Sequence, residues 1–102
     1  MREITAENFD KEVLQVEGPV LVDFNAEWCG PCRAMGVTLE KMADEGVDFK
    51  IVAVNIDEQP ELAAQYEVMS IPCLVVFKGG AEVAREVGVQ SGKRIRKLME
   101  KA

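Results

Sequence analysis

Histidine is absent from this chain of 102 residues. Without imidazole there is no Cys-His or Ser-His nucleophile pair, and the usual nitrogen ligand of zinc is missing. Cysteine is scarce: there are three, and two of them, Cys29 and Cys32, stand three positions apart. That is not the even, dispersed set that staples a small secreted domain, so cysteine here points to reactivity. Basic residues are outnumbered, 12 against 18 acidic ones, for a net charge of -6. Such a chain repels phosphate backbones and anionic lipid, which argues against nucleic acid and membrane surfaces as partners. No apolar run approaches the roughly 18 residues of a membrane span, and Met1-Arg2-Glu3-Ile4-Thr5 lacks the apolar stretch of a secretory signal. A cytoplasmic location is the expectation. Four prolines and eight glycines leave no room for a low-complexity tract.

What remains is the composition of an ordinary folded protein, 48% hydrophobic and 29% charged. The length suits one compact domain, residues 1–102, with no repeat and no linker. Along the chain, Thr5 is placed to cap a helix over about 6–16, with Phe9, Val13 and Leu14 on one face and Gly18-Pro19 ending it. Val20 to Phe24 is a short, apolar run with Asp23 inside it, the pattern of a central strand covered on both faces. Met35, Leu39, Met42 and Ala43 recur at helical spacing, which predicts a helix from about Cys32 to Glu45, with a bend at Gly36. Phe49 to Ile56 reads as a second buried strand, and Pro60 opens a helix over about Glu58 to Tyr66. Cys73 to Lys78, Gly79-Gly80, then Glu82 to Val87 reads as a hairpin, and Ser91 to Lys101 as a closing helix. The order is that of an α/β fold.

Trp28-Cys29-Gly30-Pro31-Cys32 lies between the first central strand and the helix after it, so the first sulfur sits at a helix N-terminus. The thiolate is the nucleophile, and unpaired helix amides together with the macrodipole favour it. Cys29 is therefore the expected attacking group. Cys32, one turn further in and shielded, is the expected resolving thiol. The cycle is attack on a substrate disulfide, a mixed disulfide, then release of reduced substrate with a Cys29–Cys32 bridge left behind. Pro31 stiffens the loop. A bare C-x-x-C also occurs in metal sites, but zinc normally takes four Cys or His ligands, and this chain offers only Cys73 as a third.

Val22-Asp23-Phe24-Asn25-Ala26-Glu27-Trp28-Cys29-Gly30-Pro31-Cys32 resembles the active-site signature of the thioredoxin family. Asn55-Ile56-Asp57, Ser70-Ile71-Pro72, Phe77-Lys78-Gly79-Gly80 and Val87-Gly88 follow in that family's order, so the resemblance spans nearly the whole chain. It implies a five-stranded mixed sheet flanked by four helices. It also implies a reductant of disulfides in partner proteins, recharged by a flavoprotein thioredoxin reductase drawing on NADPH or by a ferredoxin-linked donor. The chain itself would act as a monomer without cofactor or metal. Asp23, an otherwise costly carboxylate in an apolar strand, would be a buried acid-base group that takes the proton of Cys32 and returns it. Trp28, Gly30, Pro31, Ser70, Ile71, Pro72, Val87, Gly88 and Val89 would form the substrate-docking patch, with a cis peptide before Pro72.

Three positions depart from the family pattern. Ala53 replaces a lysine common beside the aspartate, so Asp23 is expected to titrate higher than in relatives. Asn25 replaces an aromatic residue, which bears on partner choice. Cys73 replaces a threonine, and a small buried filler is the favoured reading over a third redox thiol. The rival functions are an oxidase or isomerase of the same fold, and a scaffold module in which redox activity is incidental.

Overall fold

A computed structural model describes all 102 residues. Five strands form one mixed sheet in the order β1-β3-β2-β4-β5: β1 is Arg2–Glu3, β2 Val20–Asn25, β3 Lys50–Asn55, β4 Cys73–Lys78 and β5 Ala81–Val87. Strands β1, β3 and β2 run parallel, while β4 is antiparallel to both β2 and β5. Three α-helices, α1 (Gly30–Glu45), α2 (Pro60–Gln65) and α3 (Gly92–Met99), and a short wide-turned helix at Asp10–Leu14 complete the fold. The five-stranded mixed sheet with four helices matches the expectation.

Strand side chains alternate between faces, and this period divides the core. Val20, Val22 and Phe24 point to one side, with Phe9, Val13, Leu62, Val75 and Phe77. There the rings of Phe9, Tyr66 and Phe77 pack at centroid separations of 5.2–5.5 Å, in tilted and edge-on pairs. Leu21 points to the other side, against Met35, Leu39 and Met42 of α1 and Ile95, Leu98 and Met99 of α3. Each such buried side chain contributes about 1.5–3 kcal/mol. Asp23, two residues beyond Leu21, shares its face and is turned toward α1. Strand alternation thus directs the one carboxylate of β2 to the helix at whose head both motif cysteines stand.

Helix α1 begins earlier than the periodicity suggests, at Gly30, because Cys29 itself is the N-cap and Pro31 fits the first turn, where no N–H is needed. It runs unbroken through Gly36 and stops at Gly46, whose φ of 90° favours glycine. Helix α3 is capped by Ser91, whose Oγ accepts the Arg94 N–H at 3.1 Å. At the hairpin, Gly79 and Gly80 both take positive φ, as the paired glycines predict.

The first helix is corrected. Residues 6–8 form a turn, and helix is confined to Asp10–Leu14, closed by the Gln15 N–H on the Asp10 carbonyl. Thr5 does not cap it. Its own N–H donates to Asn8 Oδ1 at 2.8 Å, and its carbonyl accepts the Asn8 N–H. Strand β1 is an element that the sequence reading omits. It lies at the sheet edge, with Arg2 opposite Val52 and Glu3 opposite Ala53.

Candidate active site

The loop from Ala26 to Cys29 joins the end of β2 to the start of α1, so the cysteine pair sits at the carboxyl end of a central parallel strand. Cys29 and Cys32 are joined as a disulfide, with their Cα atoms 5.2 Å apart. The Cys32 backbone N–H donates to Cys29 Sγ at 3.1 Å, which is the side-chain cap of α1. One of the orphan amides of a helix start therefore points at the sulfur, where it stabilises negative charge. Cys29 is 5% exposed and Cys32 also lies buried, against Ala26 with Ile56 and Ile71 nearby. Arg33 closes the loop from outside, its Nη1 donating to the Glu27 carbonyl at 2.8 Å.

Asp23 is 1% exposed, and its Oδ1 has no hydrogen-bond partner. Burial pushes it up to about 7 from the ordinary carboxylate value, and the Asn25 carboxamide opposes that shift. The Asn25 Nδ2 group bonds the Asp23 backbone carbonyl at 3.0 Å, so the carboxyl oxygens gain little from it. Asp23 and Cys32 line the same cavity of about 250 Å³, with Ala53 in its wall. Larger surface hollows of about 820 and 670 Å³ lie along the outer faces of α1 and α3, and neither touches a cysteine. The smaller cavity brings a motif cysteine and a buried carboxyl group to one place.

The docking residues named from sequence divide by accessibility. Trp28 is 68% exposed, and Gly30, Pro31, Ser70, Val87 and Val89 are exposed, while Ile71 and Gly88 are half-buried and Pro72 is buried. The Ile71–Pro72 peptide is cis. Gly88, at a φ of 93°, donates its N–H to the Pro72 carbonyl at 2.8 Å, tying the end of β5 to the proline turn.

Three neighbours carry no role in the sequence reading. Asp57 Oδ2 accepts the Trp28 Nε1–H at 2.7 Å and so fixes an exposed ring. The Asn55 side chain in turn accepts the Asp57 and Glu58 N–H groups and shapes the loop that presents Asp57. Met69, 91% exposed, adds an apolar side chain just before Ser70. Its only sequence signal is an apolar residue beside a Ser-Ile-Pro turn.

Cys73 is a free thiol, 1% exposed, packed in the core with Phe24, Val75 and Phe77. Burial pushes it up from its ordinary value, with Arg85 opposing. No three His, Cys, Asp or Glu side chains converge in a way that would hold a metal ion. No helix is long and apolar enough to cross a membrane.

Comparison with known proteins agrees with this geometry. The family model described as Thioredoxin matches residues 1–101. Thioredoxin from Streptomyces clavuligerus is 48% identical over 90 residues, covering 88% of this chain and 84% of the relative. Thioredoxin from Chlamydia pneumoniae is 48% identical over 98 residues, covering 96% and 94%. Thioredoxin 1 from a Nostoc species is 44% identical over 101 residues, covering 97% and 94%. With a cysteine pair joined at the head of a helix and this match along its length, the chain belongs to the thioredoxin family of thiol-disulfide oxidoreductases.

Proposed function

We propose that the chain reduces disulfides in partner proteins with Cys29 as nucleophile, Cys32 as resolving thiol and Asp23 as proton carrier. The observation that carries the assignment is the Cys32 N–H on Cys29 Sγ: only the first sulfur receives a helix-start amide. The Cys29 thiolate attacks one sulfur of the substrate disulfide and expels the other as a thiolate. Cys32 then loses its proton to Asp23 and attacks Cys29. The bond to substrate breaks, the substrate leaves as a second thiolate, and the Cys29–Cys32 bridge holds the oxidising equivalents. Two electrons pass to the substrate.

Docking falls to Trp28, Gly30, Pro31, Ser70, Ile71, Pro72, Val87, Gly88 and Val89, a mixed apolar and backbone surface around the sulfurs. The backbone at Ile71 suits strand-like pairing with an extended substrate segment. A flavoprotein thioredoxin reductase, linked to NADPH or to ferredoxin, recharges the bridge. Residues 1–102 work as one domain in the cytoplasm and as a monomer, and the net charge of -6 supports the last of these through mutual repulsion between copies.

Insulin reduction driven by dithiothreitol tests the reading. The native chain accelerates precipitation of the insulin B chain, and Cys29→Ser and Cys32→Ser each abolish the acceleration. An equal rate with Cys29→Ser would overturn it.

A further inference from the structure

Asp23, after taking the proton of Cys32, either hands it back when the bridge is reduced or gives it to water. A substrate held on Cys29 covers the docking side, so the route to water matters. The cavity that joins Asp23 to Cys32 has a second end. Across the sheet, Glu3, Ala53 and Asp23 are register partners on three adjacent parallel strands, and all three line that cavity. Neighbouring strands lie about 4.8 Å apart and partner side chains share a face, so the Cα atoms of Glu3 and Asp23 are separated by roughly 10 Å. On the strand between them the register partner of both is Ala53, whose side chain is a single methyl group. Both residues line the one cavity, whose volume of about 250 Å³ is room enough for several waters between their carboxyl groups.

We propose that Glu3 is the outer station of a proton path that runs over Ala53 to Asp23 and exchanges its proton with solvent during turnover. The proposal rests on the role given to Asp23 above. Glu3 is exposed, as its position on the edge strand β1 dictates, so it meets bulk water directly. Of the other charged groups that line the cavity, Glu40 pairs with the Met1 ammonium and Arg33 binds the Glu27 carbonyl. Glu27 is exposed on the loop before Trp28. Glu3 itself forms no ion pair, and Asp23 Oδ1 is left without a protein partner. None of the docking residues lines the cavity, so the path stays open while a substrate occupies the cysteine face.

Stepwise, Cys32–SH gives its proton to Asp23 as its sulfur attacks Cys29. The neutral Asp23 passes a proton to a water over Ala53. That water passes one to the Glu3 carboxylate, and Glu3 releases it to solvent. No electron moves along this path, and its net result is one proton delivered from Cys32 to water.

Glu3 is a positioning residue for protons and touches no reacting sulfur, so its test needs a readout that a structural role would leave alone. Oxidation of the reduced full-length chain by a protein disulfide is followed by Trp28 fluorescence at pH 7, in buffer dilute enough not to carry protons itself. Near pH 7 a share of the chains already holds a proton on Asp23, and Cys32 can give up its own only after that proton has left through Glu3, so Glu3→Gln is expected to slow the resolving step about three- to tenfold. Formate, small enough for a cavity of about 250 Å³, is expected to restore the rate. Glu3→Asp retains most of it, and the rate of Cys29 alkylation is unchanged in both variants. A Glu3→Gln rate equal to wild type overturns the proposal, as does a loss that neither formate nor Glu3→Asp repairs. Asp23→Asn separates the two levels. If it slows the step and Glu3→Gln does not, the path through Glu3 fails alone. If neither slows it, the role of Asp23 fails as well.

Discussion

The Cys32 backbone N–H reaches Cys29 Sγ at 3.1 Å, so the resolving residue helps hold the charge of the attacking one. The same hydrogen bond caps α1, which makes helix formation and sulfur activation one event. In the reduced chain, Cys29 is expected to be alkylated first, with a rate that levels off at lower pH than the roughly 8.5 of an unperturbed thiol. Iodoacetamide labelling across pH 5–10, with the modified cysteine located by mass mapping, checks both points.

Asp23 makes stability depend on pH in a direction opposite to most carboxylates. Its folded value near 7 lies above the ordinary value of 3.8, so the folded state binds the extra proton between those limits. Stability is therefore unpenalised below about pH 4 and falls as pH rises through about 7. A displacement of about 3 pH units corresponds to roughly 4 kcal/mol at most. Asp23→Ala is expected to stabilise the oxidised chain at pH 8 by about 2–4 kcal/mol, with the gain vanishing toward pH 4. Guanidinium unfolding at the two pH values measures it, and a variant no more stable at pH 8 would contradict the burial argument.

The Trp28 ring stays exposed yet fixed because Asp57 holds its indole N–H. Asp57→Ala frees the ring without touching either sulfur. The loss of about 0.5–1 kcal/mol of positioning is expected to raise KM for a protein disulfide roughly two- to fivefold. Reduction of the bridge by dithiothreitol should not change. Steady-state kinetics with both substrates separate docking from chemistry.

Much of this arrangement is legible in the sequence because its causes are local. Val20 to Phe24 announces a central strand by continuous apolar character, and the one carboxylate inside it marks a position that period-two alternation then assigns to the α1 face. Gly79-Gly80 specifies its turn by conformational freedom. Strand β1 escapes notice because two exposed residues carry no periodicity, and its pairing with β3 is a long-range event. The first helix is overextended for a related reason: Phe9, Val13 and Leu14 fit helical spacing, while Thr5 and Asn8 satisfy each other in a turn that competes with it. Asp57 and Glu3 become meaningful only once the sheet brings them beside Trp28 and Asp23.

Cys73 sits in the apolar core at the start of β4, opposite Phe24 of β2, as a free thiol raised by burial. Thiol titration of the fully reduced chain with Ellman's reagent is expected to give two accessible groups in the native state and three after denaturation. Cys73→Ala should leave the insulin reduction rate unchanged and cost about 1–2 kcal/mol of stability by opening a small void.

The division of labour between the two motif cysteines is tested most directly by trapping. A Cys32→Ser chain exposed to a protein disulfide is expected to accumulate a mixed disulfide that peptide mapping locates at Cys29, and that dithiothreitol releases. A mixed disulfide formed instead by Cys32 in a Cys29→Ser chain, at the same rate, would contradict the account.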